Sequence, residues 1–464
     1  MIANVIYWIT ERRWLLIAVG VAAFLYVLPT PTGLTVPGYR TIIIVVAALI
    51  LIIFEPVPLP TVAMLILVFQ VIFGVASADR VASSFMSDAV FFIMGSLMLA
   101  VAVVQQGLDK RLALGIIKLT GHKTWKIVLG FIAVCAVLAS FIGEHTVTAM
   151  MMPVGLTLVK FTSKDPRKVP GLTALILFSI AYGSILGSIG TPSGGGRNVI
   201  MIDYLSRFGL GKISYLSWMK YAYPMLLVEI PLATGLLWWT FRPERKVLDS
   251  AVRRLKVQVA RGGGISARQG TAIGTMVLIF LGWVFLSSRI GLGIVALIGV
   301  ILYLSLGLVE WGDLNRRTNW GVILLFGAAI SIGVEVKETG AALWLANGIV
   351  EGLQWLTADV SFLRALVSVL LPASLANVLS SAPAVAVIGP IVLNMGGDPM
   401  ILGIAATIAS DFAYLTVVAA PPCMIIYASG LVEPKDFLRA GWKMFVMSVI
   451  VLAAISQVWW PFLR

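Results

Sequence analysis

Charged residues are scarce in this chain of 464 residues, since Asp, Glu, Lys and Arg make up 12% of it while 59% is hydrophobic. A soluble domain is about a quarter charged, so this chain has too little polar surface for a water-soluble globule. The hydrophobic residues fall in blocks that approach the roughly 20 residues needed for one bilayer crossing. The composition therefore excludes a soluble enzyme, a nucleic-acid-binding domain and a disordered chain, and it predicts an all-α polytopic membrane protein.

Cysteine and histidine are rarer still, with two residues of each. Cys135 and Cys423 both lie inside apolar stretches, which excludes a disulfide framework or a metal knuckle. The sequence also shows no nucleotide-binding loop and no constellation of a catalytic metal or nucleophile. We therefore predict that the chain is not an enzyme and carries no cofactor other than a possible coupling ion, Na⁺ or H⁺.

The basic residues outnumber the acidic ones, 34 to 21, but they cluster between apolar blocks. The clusters lie at 107–126, 160–168, 241–268 and 316–317. Basic loops mark the cytoplasmic side of a membrane protein. Counting spans from a cytoplasmic N-terminus places all four clusters inside, so we predict a multi-pass protein of the cell (inner or plasma) membrane in contact with lipids, and no nucleic-acid partner.

Two apolar stretches, 127–160 and 362–395, are too long for one crossing and carry a polar interruption near the middle. The interruptions are Gly143-Glu144-His145-Thr146 and Ser380-Ser381-Ala382-Pro383. Polar backbone at membrane depth is tolerated only where it is buried in protein or lines a cavity. Both stretches are therefore predicted to be re-entrant hairpins, beside about eleven transmembrane helices.

Each hairpin is followed by a long apolar segment that Gly or Pro interrupts, at Gly190–Asn198 in the first half and at Ala420-Pro421-Pro422 in the second. Paired interruptions of this kind indicate the midplane binding site of a transporter with inverted repeats. We predict four regions, listed as an N-terminal segment with the first span (1–40), a first repeat (41–240), a basic cytoplasmic linker (241–269) and a second repeat (270–464).

The sequence resembles the divalent anion:sodium symporter family, whose members carry dicarboxylates, citrate or sulfate. The resemblance rests on Phe54-Glu55-Pro56-Val57-Pro58-Leu59-Pro60, on the stretch 87–118, on Leu324–Gly333 and on Val418-Ala419-Ala420-Pro421-Pro422. It implies a secondary active transporter that works by alternating access of the elevator type and forms a homodimer.

The hairpin tips depart from the family pattern, in which each tip carries Ser-Asn-Thr. The corresponding residues here are Gly143-Glu144-His145 and Ser380-Ser381-Ala382, and Ala420-Pro421-Pro422-Cys423 replaces the family's Thr-Pro-Pro-Asn. These changes remove several oxygen atoms that bind sodium in the family, whereas Glu144 and the backbone carbonyls remain. The sequence therefore leaves three alternatives for coupling: sodium, protons or a counter-substrate.

Glu144, His145, Arg197 and Asp411 fall within segments expected in the membrane, where ionisable residues are costly and indicate function. Glu144, His145 and Asp411 are candidates for ion coupling, because a carboxylate and an imidazole can exchange protons. Asp411 is expected inside a helix, about two turns before the break at Ala420-Pro421-Pro422. Arg197 offers a planar fork for a carboxylate or sulfate. The alternatives are structural: a Glu144–His145 ion pair that clamps the hairpin, a Glu144–Arg197 pair that closes the site, or Arg197 as counter-ion of Asp411.

We predict transport of a small anion, either a di- or tricarboxylate or a sulfate-like ion. The alternatives are a transporter of the same fold for a cation or neutral solute, and, with less support, an ion channel. The predicted substrate-binding residues come from the hairpin tips and the interrupted segments: Glu144, His145, Thr146, Gly194, Arg197, Asn198, Ser380, Ser381, Ala382, Ala420 and Pro421.

Overall fold

A computed structural model of the chain describes residues 12–107, 121–211, 213–249, 252–253, 266–379 and 381–463. Its helices of seven or more residues are α1 Arg13–Val27, α2 Val36–Phe54, α3 Leu59–Ile72, α4 Ala78–Phe85, α5 Asp88–Gln105, α6 Thr124–Ile142, α7 Glu144–Thr162, α8 Pro170–Ser188, α9 Gly196–Arg207, α10 Tyr215–Thr240, α11 Ala267–Phe285, α12 Leu292–Ser305, α13 Trp311–Arg317, α14 Trp320–Glu338, α15 Ala341–Leu353, α16 Val360–Leu379, α17 Ser381–Leu393, α18 Pro399–Ala409, α19 Pro421–Tyr427 and α20 Pro434–Val458.

The helices have the length and surface expected of membrane spans. Within the described ranges, nine helices are long and apolar enough to cross a bilayer, and five further apolar helices are shorter. Large apolar side chains such as Phe24, Ile72, Leu278 and Phe285 are more than half exposed, as lipid-facing residues are. The prediction of an all-α polytopic fold is confirmed, while the count of about eleven spans stays a prediction.

Two helices begin against a carboxylate from a distant part of the chain. Asp88 accepts hydrogen bonds from the first backbone N–H groups of α12, and Glu244 does the same for α8, all at 2.8–3.0 Å. The first N–H groups of a helix have no partner within the helix, and a negative charge is favourable there. Glu244 belongs to the stretch predicted as a linker, so the start of this linker is tied to the helical body.

Helix α8 lies at the centre of the larger core and contacts α6, α7, α10 and α19. Its packing against α6 is close because two glycines face that helix. A Cβ atom on Gly183 would lie 2.8 Å from Cα of Ile132, and one on Gly187 would collide with the backbone of Ala136. Small residues allow such backbone approach, which is common between membrane helices.

Two pairs of consecutive helices correspond to the predicted hairpins. Helices α6 and α7 contact each other and are separated only by Gly143, whose φ of +83° suits glycine. Helices α16 and α17 also contact each other, and the position between them, Ser380, lies outside the described residues. Whether each pair enters and leaves the membrane on one side stays a prediction.

Two helix interruptions correspond to the Gly- and Pro-rich segments. The first interruption, between α8 and α9, spans 189–195 and contains a 3-10 turn at Pro192–Gly194. The second interruption, between α18 and α19, spans 410–420. We expected Asp411 inside a helix, about two turns before the break, and this was wrong because α18 ends at Ala409.

The early end of α18 has a physical cause in the packing of the following residues. Asn377 of α16 donates a hydrogen bond to the carbonyl of Phe412 (2.9 Å) and accepts one from the N–H of Leu415 (2.9 Å). Backbone groups that leave a helix must find other partners when they are buried. The Asn377 side chain supplies them, so Asp411 lies in the interruption itself.

Candidate functional site

The candidate site is centred on Arg197, in the first turn of α9 and 3% exposed. Its Nη2 atom lies 2.7 Å from Oδ2 of Asp411 and 3.9 Å from Oε2 of Glu144. Nη1 donates to the hydroxyl of Ser381 at 3.2 Å, and Nη2 donates to the hydroxyl of Ser188. One guanidinium therefore joins both hairpins and both helix interruptions.

The glycines before Arg197 explain how its backbone reaches this position. A Cβ atom on Gly194 would collide with the carbonyl of Ser188, and one on Gly196 would lie 2.6 Å from the ring of Phe326. Only glycine leaves room for such close approach. The predicted residue Gly194 thus acts through packing, because it lets the start of α9 sit against the end of α8.

Ser188 is part of the site, although the sequence analysis did not select it. Its hydroxyl donates to Oδ2 of Asp411 at 2.6 Å while it accepts from Arg197. It is the last residue of α8, directly before the first interruption. A polar residue at the end of an apolar helix, beside a predicted break, is the signal that would have indicated it.

The charges of the cluster do not balance. Arg197 carries one positive charge, and Glu144 and Asp411 carry two negative charges when both are ionised, which leaves a formal charge of −1. Glu144 and Asp411 are 7% and 1% exposed. Buried charges are costly unless they are paired and hydrogen-bonded. The cluster can therefore take up a proton or another cation.

The cluster also has unused hydrogen-bonding capacity. Within the described part of the chain, Oε2 of Glu144, Nε of Arg197 and Oδ1 of Asp411 are buried and have no hydrogen-bond partner. Buried polar atoms are nearly always hydrogen-bonded, so exceptions call for an explanation. A bound ligand or ion would satisfy such atoms.

Asn198, predicted to bind substrate, closes the first interruption with one end of its amide. Its Nδ2 atom donates to the carbonyls of Ser188 (2.9 Å) and Thr191 (2.8 Å). On the other side, the carbonyl of Ser140 in α6 accepts hydrogen bonds from the hydroxyls of Thr191 and Ser193. The Oδ1 atom of Asn198 is buried and has no partner among the described residues, so binding of substrate by Asn198 stays a prediction.

The other predicted residues differ in their exposure and in their position on the helices. His145 is exposed and Thr146 is half-buried, so the α7 tip directs Glu144, and not His145, toward Arg197. Ala382 follows Ser381 and is half-buried. Ala420 and Pro421 form the start of α19, which packs against α7 and α8. Ser380 lies outside the described residues.

No group of three or more His, Cys, Asp or Glu residues that could hold a metal ion occurs among the residues the structure describes. Any cation bound near Arg197 would use the two carboxylates together with hydroxyl and carbonyl oxygens.

Comparison with known proteins identifies the family. The chain matches the family described as "Sodium:sulfate symporter transmembrane region" over residues 10–464. The chain belongs to this family. The resemblance to divalent anion:sodium symporters is therefore confirmed, as is the prediction of a multi-pass membrane transporter and not an enzyme.

Two relatives of this chain are named as sodium-dependent dicarboxylate transporters. A "Sodium-dependent high-affinity dicarboxylate transporter 3" from Caenorhabditis elegans is 27% identical and covers 88% of this chain and 82% of its own length. The "Sodium-dependent dicarboxylate transporter SdcS" of Staphylococcus aureus strain USA300 is 25% identical, over 87% of this chain and 82% of its own.

A solved structure shares the fold. The YdaH transporter of Alcanivorax borkumensis, whose description notes an unusual topology, matches with a TM-score of 0.52 at 14% identity. The match covers 82% of this chain and 87% of the other. At this identity the likeness concerns the fold alone.

Proposed function

We propose that this protein is a secondary active transporter of small dicarboxylate-like anions, with Arg197 as the group that binds the anion. The observation that carries the proposal is the meeting of both hairpins and both helix interruptions at one buried guanidinium. A planar guanidinium binds a carboxylate through two parallel hydrogen bonds. The two transporters named above are described as dicarboxylate transporters, which supports this substrate class.

Coupling to a cation follows from competition for Arg197. In the structure Asp411 pairs with the guanidinium of Arg197, and Glu144 adds a second negative charge. An anion can replace these carboxylates only if their charge is neutralised, because like charges repel strongly at short range. Binding of a cation to Glu144 and Asp411 would thus release Arg197 for the anion. Sodium is the cation named for the relatives, and a proton satisfies the same charge requirement.

Several finer features are part of the proposal. Movement of the elevator type, a homodimer, and hairpins within two inverted repeats that meet at this site fit the family resemblance. A location in the plasma or inner membrane with a cytoplasmic N-terminus fits the basic loops. The pairs α6–α7 and α16–α17, each next to an interrupted segment, support the repeats.

Uptake into proteoliposomes tests the proposal. A panel of labelled dicarboxylates, tricarboxylates and sulfate would be offered while sodium and pH gradients are imposed separately. We expect saturable dicarboxylate uptake that one gradient drives, and its loss in Arg197→Ala. Arg207→Ala is the matched control, because Arg207 lies on the same helix but pairs with Asp203 at 2.6 Å. Uptake of the anion that survives Arg197→Ala would contradict the proposal.

A second candidate substrate is a cation or neutral solute. The formal charge of −1 in the cluster favours the cation. In that case Glu144 and Asp411 would bind the substrate and Arg197 would only hold them. Cation uptake that persists in Arg197→Ala and is lost in Glu144→Gln would support this candidate, and competition by dicarboxylates would exclude it. Flux that does not saturate with substrate would indicate a channel.

A further inference from the structure

A further buried carboxylate, that of Glu229, lies outside the Arg197 cluster, in the middle of α10. Glu229 is 0% exposed, and within the described residues neither of its carboxylate oxygens has a hydrogen-bond partner. An ionised carboxylate without a partner is very costly in a low-dielectric interior. Glu229 therefore needs either a proton or a bound cation.

In the described part of the chain, no basic residue on the helices around α10 forms an ion pair with Glu229. Helix α8 carries no charged residue, and Lys443 of α20 binds the hydroxyl of Thr240 at 3.0 Å. Thr240 lies eleven residues beyond Glu229, about 16 Å along the helix at ~1.5 Å per residue. The remaining charged residues of the helices packed on α10 are Lys126, Arg268, Lys435, Asp436 and Arg439.

The polar group next to Glu229 is a hydroxyl. Ser448 of α20 is its polar neighbour, although the serine does not reach hydrogen-bond geometry with the carboxylate. The Ser448 hydroxyl lies 3.5 Å from that of Tyr414. This line of hydroxyls, from Ser448 beside Glu229 to Tyr414, ends in the second interruption, which also carries Asp411 of the Arg197 cluster.

Tyr414 is fixed in this line by the central helix. The hydroxyl of Tyr182 in α8 donates to the carbonyl of Tyr414 at 3.0 Å, and the two rings lie 5.1 Å apart. Tyr414 follows Asp411 by three residues in the second interruption. Any movement of this interruption would therefore move Tyr414 relative to Glu229.

The surroundings favour a proton over a metal cation. A hard metal cation needs several oxygen ligands, whereas the hydroxyl beside Glu229 is that of Ser448, with the Tyr414 hydroxyl 3.5 Å from the serine. The hydroxyl of Thr234, five residues further along α10, donates to the carbonyl of Ile230 at 2.8 Å. A proton needs a single carboxylate oxygen, and the neutral acid removes the electrostatic cost of burial.

We propose that Glu229 is a proton-binding site of this transporter, and that its protonation is linked to that of Asp411 through Tyr414. The carboxylate takes one proton from water on one side and returns it to water later, with no other bond made or broken. Because two negative charges repel across a low-dielectric interior, loss of a proton from one acid favours its retention on the other.

Infrared difference spectroscopy of the full-length protein in lipid tests the site without any substrate. We expect a protonated-carboxyl band in the wild type that shifts in heavy water and is absent from Glu229→Gln. Glu351→Gln, an exposed residue of α15, is the matched control and should keep the band. Ser448→Ala retains the acid and should shift the band, so the test stands even if Glu229→Gln does not fold. A spectrum that neither Glu229→Gln nor Ser448→Ala changes would overturn the proposal.

Transport measured against pH tests the linkage. A rate that depends on one proton changes up to about tenfold per pH unit. We expect Glu229→Gln to flatten this dependence and Tyr414→Phe to shift its midpoint, while Glu351→Gln follows the wild type. An unchanged profile in Glu229→Gln would refute the linkage. Failure to find anion uptake with the infrared band intact would refute the proposed function and leave the proton site standing.

Discussion

The two helix interruptions differ in chemistry although each lies beside a hairpin. The first interruption, 189–195, is held by hydroxyls and an amide and is followed by the cation Arg197. The second interruption, 410–420, contains the anion Asp411 and otherwise consists largely of apolar residues held by Asn377. Opposite charges from the two halves of the chain thus meet at the site, and their pairing at 2.7 Å connects the halves.

A parallel between the halves makes this difference informative. Ser140 lies four residues before Glu144, and Asn377 lies four residues before Ser381. Ser140 contacts the first interruption through its carbonyl, and Asn377 contacts the second through both its side chain and its carbonyl. The positions correspond while the residues differ, so the scaffold role is shared and the charges are specific to each half.

The largest effect is expected from Asp411→Ala, which breaks the pairing between the halves. Removal of one partner from a buried pair leaves the other charge uncompensated and costs about 3–5 kcal/mol. Glu144→Ala should cost less, because Glu144 lies 3.9 Å from Arg197 against 2.7 Å for Asp411. Thermal unfolding of the purified variants measures both effects, and equal losses would contradict the asymmetry.

A double-mutant cycle isolates the pairing itself. If the charges act on each other, Asp411→Ala combined with Arg197→Ala should lose less stability than the sum of the single changes. Additive losses would show that the two residues act through other partners. Asp203→Ala with Arg207→Ala is the matched control pair on α9.

A smaller effect is expected from Asn377→Leu, which removes the side chain that holds the second interruption. The change leaves the N–H of Leu415 without its partner and removes a donor from the carbonyl of Phe412, at about 1–3 kcal/mol for an unsatisfied buried group. Ser140→Ala should cost less, because the Ser140 carbonyl still accepts from Thr191 and Ser193. Hydrogen exchange of the two interruptions measures the difference, and a larger loss in Ser140→Ala would reverse it.

The sequence predicted the scaffold better than the contacts of the site. Hydrophobic blocks and their polar interruptions predicted the helices and the separation of α6 from α7, because burial in a membrane restricts composition directly. The contacts of Asp411 depend on where α18 ends, which Asn377 of another helix determines. The contact of Ser188 with Asp411 depends on tertiary neighbours as well. Glu229 is an ionisable residue within an apolar helix, and the rule that selected Glu144 and Asp411 would have indicated it too.

The smallest effect is expected from His145→Gln, which tests the first half alone. Glu144 begins α7 and points to Arg197, whereas His145 is exposed beside it. Successive residues of a helix point about 100° apart, so they cannot both face one partner. We expect His145→Gln to change the pH dependence of uptake less than Glu144→Gln does. Proteoliposome uptake across a pH series measures both. A larger effect of His145→Gln would assign ion coupling to the imidazole. At the Arg197 cluster, the first half of the chain would then supply two titratable groups and the second half one.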